Sequence, residues 1–165
     1  MERRTASGVL GALSVVTYLA ALAMVFVYAP REATMGDVQR IFYFHVASAW
    51  VGFFGFFVTF GAGILYLGRR ERRWDRLGAS SVSVGVVFIT MTVITGALWA
   101  RPVWGTYWTW EPRLTISAVQ WLLYVAYGML RASVPDEAQQ ARFAAVYGIV
   151  AFVTVPLSWF AIRWW

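Results

Sequence analysis

The sequence predicts an all-α protein, a polytopic transmembrane helix bundle. Three observations carry that expectation. Of the 165 residues, 60% are hydrophobic and only 13% are charged, whereas a water-soluble domain carries about a quarter charged residues. The apolar residues are gathered into runs of about 20, the length at which a helix crosses the hydrocarbon of a bilayer. The runs are continuous, where the strands of a membrane barrel need only about ten residues of alternating polarity. The same arithmetic excludes a disordered chain, a collagen and a nucleic-acid-binding domain, despite a net charge of +6. Cysteine is absent, which removes disulfide frameworks, zinc knuckles and thiol nucleophiles.

Five spans are expected. The first covers residues 7–29 and follows Glu2, Arg3 and Arg4. Its apolar stretch of about 22 residues exceeds the ~7–15 of a signal-peptide core, so it reads as an uncleaved span. The second, 41–67, is long enough to tilt; the third is 77–100, the fourth 114–130 and the fifth 143–162. The connections 30–40, 68–76, 101–113 and 131–142 are short, so the chain reads as one integral membrane domain over residues 1–165.

Arginine placement orients the bundle. Arg3, Arg4, Arg69, Arg70, Arg72, Arg73, Arg76, Arg131 and Arg142 fall on one side, nine against the five of Arg31, Arg40, Arg101, Arg113 and Arg163. The N-terminus is therefore expected in the cytoplasm of a bacterium, with the chain multi-pass in its inner membrane. The run from Arg69 to Arg76 reads as an anchor beside anionic headgroups, which makes membrane lipid an expected partner. Five spans put the C-terminus outside, ending on Arg163-Trp164-Trp165 without a polar tail. A further span is expected beyond it.

Chemistry concentrates in the outward segment 99–113, Trp99-Ala100-Arg101-Pro102-Val103-Trp104-Gly105-Thr106-Tyr107-Trp108-Thr109-Trp110-Glu111-Pro112-Arg113. An interfacial aromatic belt is the plain alternative, but a belt needs one or two rings per helix end. Pro102, Gly105 and Pro112 make a shaped loop the expectation here. Planar rings stack on planar ligands and arginine forks onto carboxylates. If residues 104–111 are helical, Trp104, Trp108 and Glu111 share a face. A large, flat, acidic amphiphile matches this surface. Haem matches it well, with Arg101 or Arg113 on a propionate; a quinone or a lipid headgroup matches less completely.

The single histidine, His45, falls in Arg40-Ile41-Phe42-Tyr43-Phe44-His45-Val46-Ala47, at the outward end of the second span. A buried, hydrogen-bonded core histidine is the plain alternative. An ionisable side chain in a span is nonetheless a functional candidate, and imidazole is a common axial ligand of haem iron. His45, Ser48 and Gly52 share a helical face, which is expected to leave room beside the imidazole.

At these residues the chain resembles the cytochrome c assembly protein family, haem-handling membrane proteins of the CcmC and CcsA type, and is closest to the small CcmC-type members. The family's tryptophan-rich segment stands here as Trp104-Gly105-Thr106-Tyr107-Trp108-Thr109-Trp110-Glu111-Pro112-Arg113-Leu114. Thr95-Gly96-Ala97-Leu98-Trp99 and the ending from Pro156 to Trp165 are also similar. Tyr107 stands for the usual tryptophan, Glu111 for aspartate and Ala47 for proline. The resemblance implies a b-type haem, transiently bound on the outer face by Trp104, Tyr107, Trp108, Trp110, Glu111, Arg101 and Arg113. It implies His45 as an axial ligand of the iron, with a second outward histidine and a sixth span beyond Trp165. It implies transfer of haem to a periplasmic chaperone of the CcmE type, beside ABC transporter subunits of the CcmA and CcmB type. The protein is then a delivery platform in cytochrome c biogenesis and not an enzyme. A second reading is a permease subunit of an ABC transporter for haem or a small amphiphile. Against it, no span carries an acidic residue in its interior, and no paired interrupted helices are expected at the midplane.

Overall fold

A computed structural model describes residues 2–164. Trp165, expected at the outer surface, lies outside the described residues, as do the side chains of Arg3 and Arg4. The described chain is helical throughout its ordered elements. Helix α1 covers Glu2–Ala23 and runs into a π-helical turn, Met24–Tyr28; α2 is Gln39–Arg69, α3 Arg72–Trp104, α4 Pro112–Ser133, α5 Glu137–Ala151 and α6 Thr154–Trp164.

Four segments are long and apolar enough to cross a membrane: Thr5–Tyr28, Gln39–Arg69, Arg72–Trp104 and Glu137–Ala161. The fourth of the five expected spans, 114–130, becomes α4. With 22 residues it has the length, but it is less apolar than the others. The reason is its inward face: Gln120 and Tyr124 are fully buried, and Tyr127 nearly so, so polar atoms turn toward the bundle and away from lipid.

The α2–α3 hairpin is the spine of the bundle, and glycines set its spacing. A Cβ on Gly55 would lie 2.9 Å from the Ser81 carbonyl oxygen and 3.2 Å from the Gly85 Cα. Small residues let the backbones approach this closely, the usual device where lipid supplies no hydrophobic drive between helices. The register follows, with Thr59 donating to the Gly78 carbonyl at 3.2 Å, Gly52 against Gly85 and Ile89, and His45 against Thr92. The face of His45, Ser48 and Gly52, expected to hold space for a ligand, is therefore filled by α3. Ser48 is buried there.

The connections differ from expectation in two places. The expected loop 68–76 reduces to Arg70 and Glu71, because arginines are good helix formers and both helices continue past the apolar core. Segment 99–113 is helical through Trp104, with Pro102 in the last turn of α3; there it forfeits one backbone bond near the helix end. Gly105, at φ 76°, ends α3 in the left-handed conformation, its N–H reaching the Arg101 carbonyl at 2.8 Å.

The fifth expected span is interrupted at Phe152 and Val153. Pro156 has no N–H to offer the Phe152 carbonyl, which accepts instead from Val155 at 3.0 Å. Thr154 Oγ1 donates to the Ala151 carbonyl at 2.7 Å. At the centre, the rings of Phe56 and Tyr124 stack at 3.4 Å and 3°, clustered with Val82, Ile89, Tyr127 and Ala144. At the end remote from the tryptophan segment 99–113, Arg131 forks onto Asp75, Nη1 to Oδ1 at 2.5 Å and Nη2 to Oδ2 at 3.1 Å, tying α4 to α3. From Thr5 to Ala21 helix α1 is exposed, and the π-turn that follows it meets α2 through Phe26 and Phe44, 6.1 Å apart.

Candidate functional site

His45 lies in the second turn of α2 and is half-buried. Its Nδ1 is 3.0 Å from the Thr92 carbonyl oxygen and 3.3 Å from Thr95 Oγ1. A carbonyl only accepts, so Nδ1 carries the proton and Nε2 keeps the lone pair. That is the arrangement by which a backbone carbonyl fixes a ligating imidazole in one tautomer and orientation. Thr95 Oγ1 donates to the Met91 carbonyl at 2.6 Å. Gly96 completes the seat: a Cβ there would stand 3.0 Å from His45 Cε1 and 3.3 Å from Nδ1. The imidazole thus rests where α3 has no side chain. In the sequence Thr95 and Gly96 stand only as part of the family-like run before Trp99, with no role assigned to either. Their signal was a glycine inside a helical pattern, one turn before Trp99.

The same helix carries the start of the tryptophan segment. Trp99 follows Thr95 by four residues, about 6 Å along the axis, and its ring meets Trp104 edge to face at 5.9 Å. Past Gly105 the chain leaves the helix, and α4 begins with Pro112 in its first turn. Trp104, Trp108 and Glu111 therefore do not share a helical face. The two halves of the segment are joined by other means. Arg113 forks onto Glu111, Nε to Oε1 at 2.8 Å and Nη2 to Oε2 at 2.7 Å, and its guanidinium lies 5.4 Å from the centre of the Trp104 ring.

Trp108 and Trp110 meet edge to face at 5.7 Å. Trp108 is half-buried, and its indole N–H has no partner among the described residues. Trp110 is 80% exposed, so most of a large apolar ring is left uncovered by this chain. Tyr107 is exposed beneath Arg101, whose guanidinium is 4.7 Å from the ring centre.

The charges sort cleanly. Arg113 is held by Glu111, and Asp37 takes both Arg40 at 3.1 Å and Arg31 at 3.6 Å. Among the described residues Arg101 has no carboxylate partner. Of the two arginines expected to meet an acidic ligand, Arg101 is thus the one left free, while Arg113 braces the loop. Glu111 also closes the first turn of α4, its carbonyl accepting from the Thr115 N–H at 3.0 Å.

One further contact went unforeseen. Trp50 of α2 meets Trp159 of α6 at 5.2 Å, which brings the last helix to the half of α2 that holds His45. Nothing in either local pattern distinguishes those tryptophans from ordinary lipid-facing rings.

The model of the family described as CcmC, heme exporter protein C, matches residues 3–165. The chain is 34% identical to heme exporter protein C of Bradyrhizobium diazoefficiens over 137 residues, 83% of this chain and 52% of the relative. It is 30% identical to heme exporter protein C of Rhodobacter capsulatus over 154 residues, 93% of this chain and 64% of the relative. Against the Escherichia coli K12 protein of that name it is 29% identical over 141 residues, 85% of this chain and 57% of the relative. The chain spans roughly half to two thirds of the length of these relatives.

Proposed function

The chain belongs to the heme exporter protein C (CcmC) family, and on that premise we propose that it handles haem in cytochrome c biogenesis, as a delivery component and not a catalyst. Haem is its cargo, b-type and transiently held. His45 supplies an axial ligand to the iron through Nε2. Trp104, Trp108, Trp110 and Tyr107 wall the macrocycle. Arg101 pairs with a propionate, while Glu111 and Arg113 hold the loop in shape. The platform faces the outer side of the bacterial inner membrane and presents haem to a periplasmic chaperone of the CcmE type, alongside ABC transporter subunits of the CcmA and CcmB type.

One observation carries this reading. His45 Nδ1 lies 3.0 Å from the Thr92 carbonyl, which can only accept, so Nδ1–H donates there and Nε2 keeps its lone pair for a metal, in the half of the hairpin that ends in the tryptophan segment. A core histidine with both nitrogens occupied would have argued the other way. Among the described residues no group of three histidine, aspartate or glutamate side chains is placed for a metal ion. A single imidazole suits a metal that brings its own equatorial nitrogens.

The test is haem retention by the purified protein. His45→Ala is expected to lose most bound haem and to shift the Soret band, while Thr95→Val retains both. Unchanged haem content and spectrum in His45→Ala would overturn the axial role.

The break at Phe152 and Val153 favours a second reading, a permease subunit for haem or a small amphiphile, since interrupted helices line many transport sites. Haem flux in proteoliposomes lacking any ATPase subunit would establish it in place of delivery.

A further inference from the structure

At the end of the bundle away from the tryptophan segment, α2 and α3 meet across only Arg70 and Glu71. Arg69, Arg70, Arg72, Arg73 and Arg76 are thereby gathered at one corner. The carboxylates nearby are already engaged. Glu71 pairs with Arg73, Glu137 with Arg72 and Asp75 with Arg131. Asp136 caps α5 by accepting from the Gln139 N–H at 2.7 Å. Arg69, Arg70 and Arg76 are exposed, and among the described residues none of them has a carboxylate partner.

The backbone adds a second observation. Arg70 has φ 56°, the one positive value among the described non-glycine residues. L-residues disfavour this conformation, and helix ends of this kind commonly use glycine. Gly68 stands two residues earlier, inside the helix and with open space around it. The corner thus keeps a cation at the position whose geometry suits glycine, the kind of local strain that accompanies binding sites. Beside it, the half-buried Trp74 ring lies 4.9 Å from the Arg73 guanidinium, as indoles do at a headgroup layer.

We propose that Arg69, Arg70 and Arg76 form a specific site for the phosphate of an anionic phospholipid. The guanidinium fork matches phosphate oxygens. Helices of 31 and 33 residues extend about 46–50 Å, against a hydrocarbon core of about 30 Å. Centred in a bilayer, each end projects about 8–10 Å beyond the core, at the depth of lipid phosphates. That depth selects a lipid over a soluble anion. The site is at the opposite end from His45, so its failure leaves the haem reading untouched.

The experiment is native mass spectrometry of the full chain in detergent, titrated with phosphatidylglycerol or phosphatidylcholine. The first phosphatidylglycerol is expected to bind at least tenfold more tightly than phosphatidylcholine. The triple variant Arg69→Gln, Arg70→Gln, Arg76→Gln is expected to bring the two within about twofold, while Arg31→Gln, at the other end, changes nothing. Arg70→Gly alone guards against misfolding: it relaxes the backbone, so it is expected to keep or raise the melting temperature while weakening phosphatidylglycerol binding several-fold. Inorganic phosphate at 10 mM is expected not to compete. Equal binding of the two lipids by the unaltered chain, a lipid preference left undiminished by the triple variant or by Arg70→Gly, or displacement by inorganic phosphate would overturn the proposal.

Discussion

The Nδ1 of His45 is 3.0 Å from the carbonyl oxygen of Thr92, across the α2–α3 hairpin. With the contacts to Thr95 and Gly96, it joins the chain's single histidine to the helix that carries the start of the tryptophan segment. The pairing fixes which nitrogen is left to act.

Gly96→Val tests the seat. A Cβ at Gly96 would stand 3.0 Å from His45 Cε1, so a branched side chain displaces the ring. Haem affinity is expected to fall about tenfold, with helical content unchanged by circular dichroism. Unaltered affinity would show that ring placement is irrelevant.

The hairpin spacing gives a second expectation. Gly55→Val places a side chain 2.9 Å from the Ser81 carbonyl oxygen, and overpacking of this sort costs about 1–3 kcal/mol. Thermal melting is expected to drop by several degrees. Gly61→Ala, with nothing within 4 Å of the added Cβ, should leave it unmoved.

At the far end of the bundle, the Asp75 side chain is only 9% exposed and depends on Arg131. Arg131→Met strands a largely buried carboxylate, at an expected cost of about 3 kcal/mol. Adding Asp75→Asn should restore most of that loss. A double-mutant cycle on denaturation midpoints reads the coupling, and additive effects would contradict the pairing.

Glu111→Gln tests the brace of the tryptophan loop. Its pair with Arg113 is partly exposed, so stability should change by no more than about 1 kcal/mol. The loop itself should loosen: amide hydrogen exchange over residues 105–111 is expected to quicken several-fold, with α2 and α3 unaffected.

Much of this was legible in the sequence, for identifiable reasons. Apolar run length locates α1, α2, α3 and the α5–α6 segment, because burial in lipid needs no partner to be specified. The tryptophan segment and His45 stand out because their residue types are rare and their positions share one end of the hairpin. What was not legible depends on pairing between elements. Gly52 looked like space for a ligand, and only the register with Gly85 and Ile89 shows that α3 fills it. Arg101 and Arg113 were equivalent candidates until Glu111 was seen to hold one of them. Pro102 looked like a helix breaker, yet it sits in a last turn that tolerates it. The polar face of α4 was hidden within an apolar count, since Gln120, Tyr124 and Tyr127 matter only by the direction they face.

Because the chain holds a single histidine, growth on ¹⁵N-histidine labels one residue, and that offers the most direct measurement. Electron–nuclear double resonance of the untagged ferric haem complex is expected to show a strong ¹⁵N hyperfine coupling from an axial nitrogen, lost in His45→Ala. Haem retained at full occupancy with no ¹⁵N coupling would contradict the account, because the platform would then hold its cargo without His45.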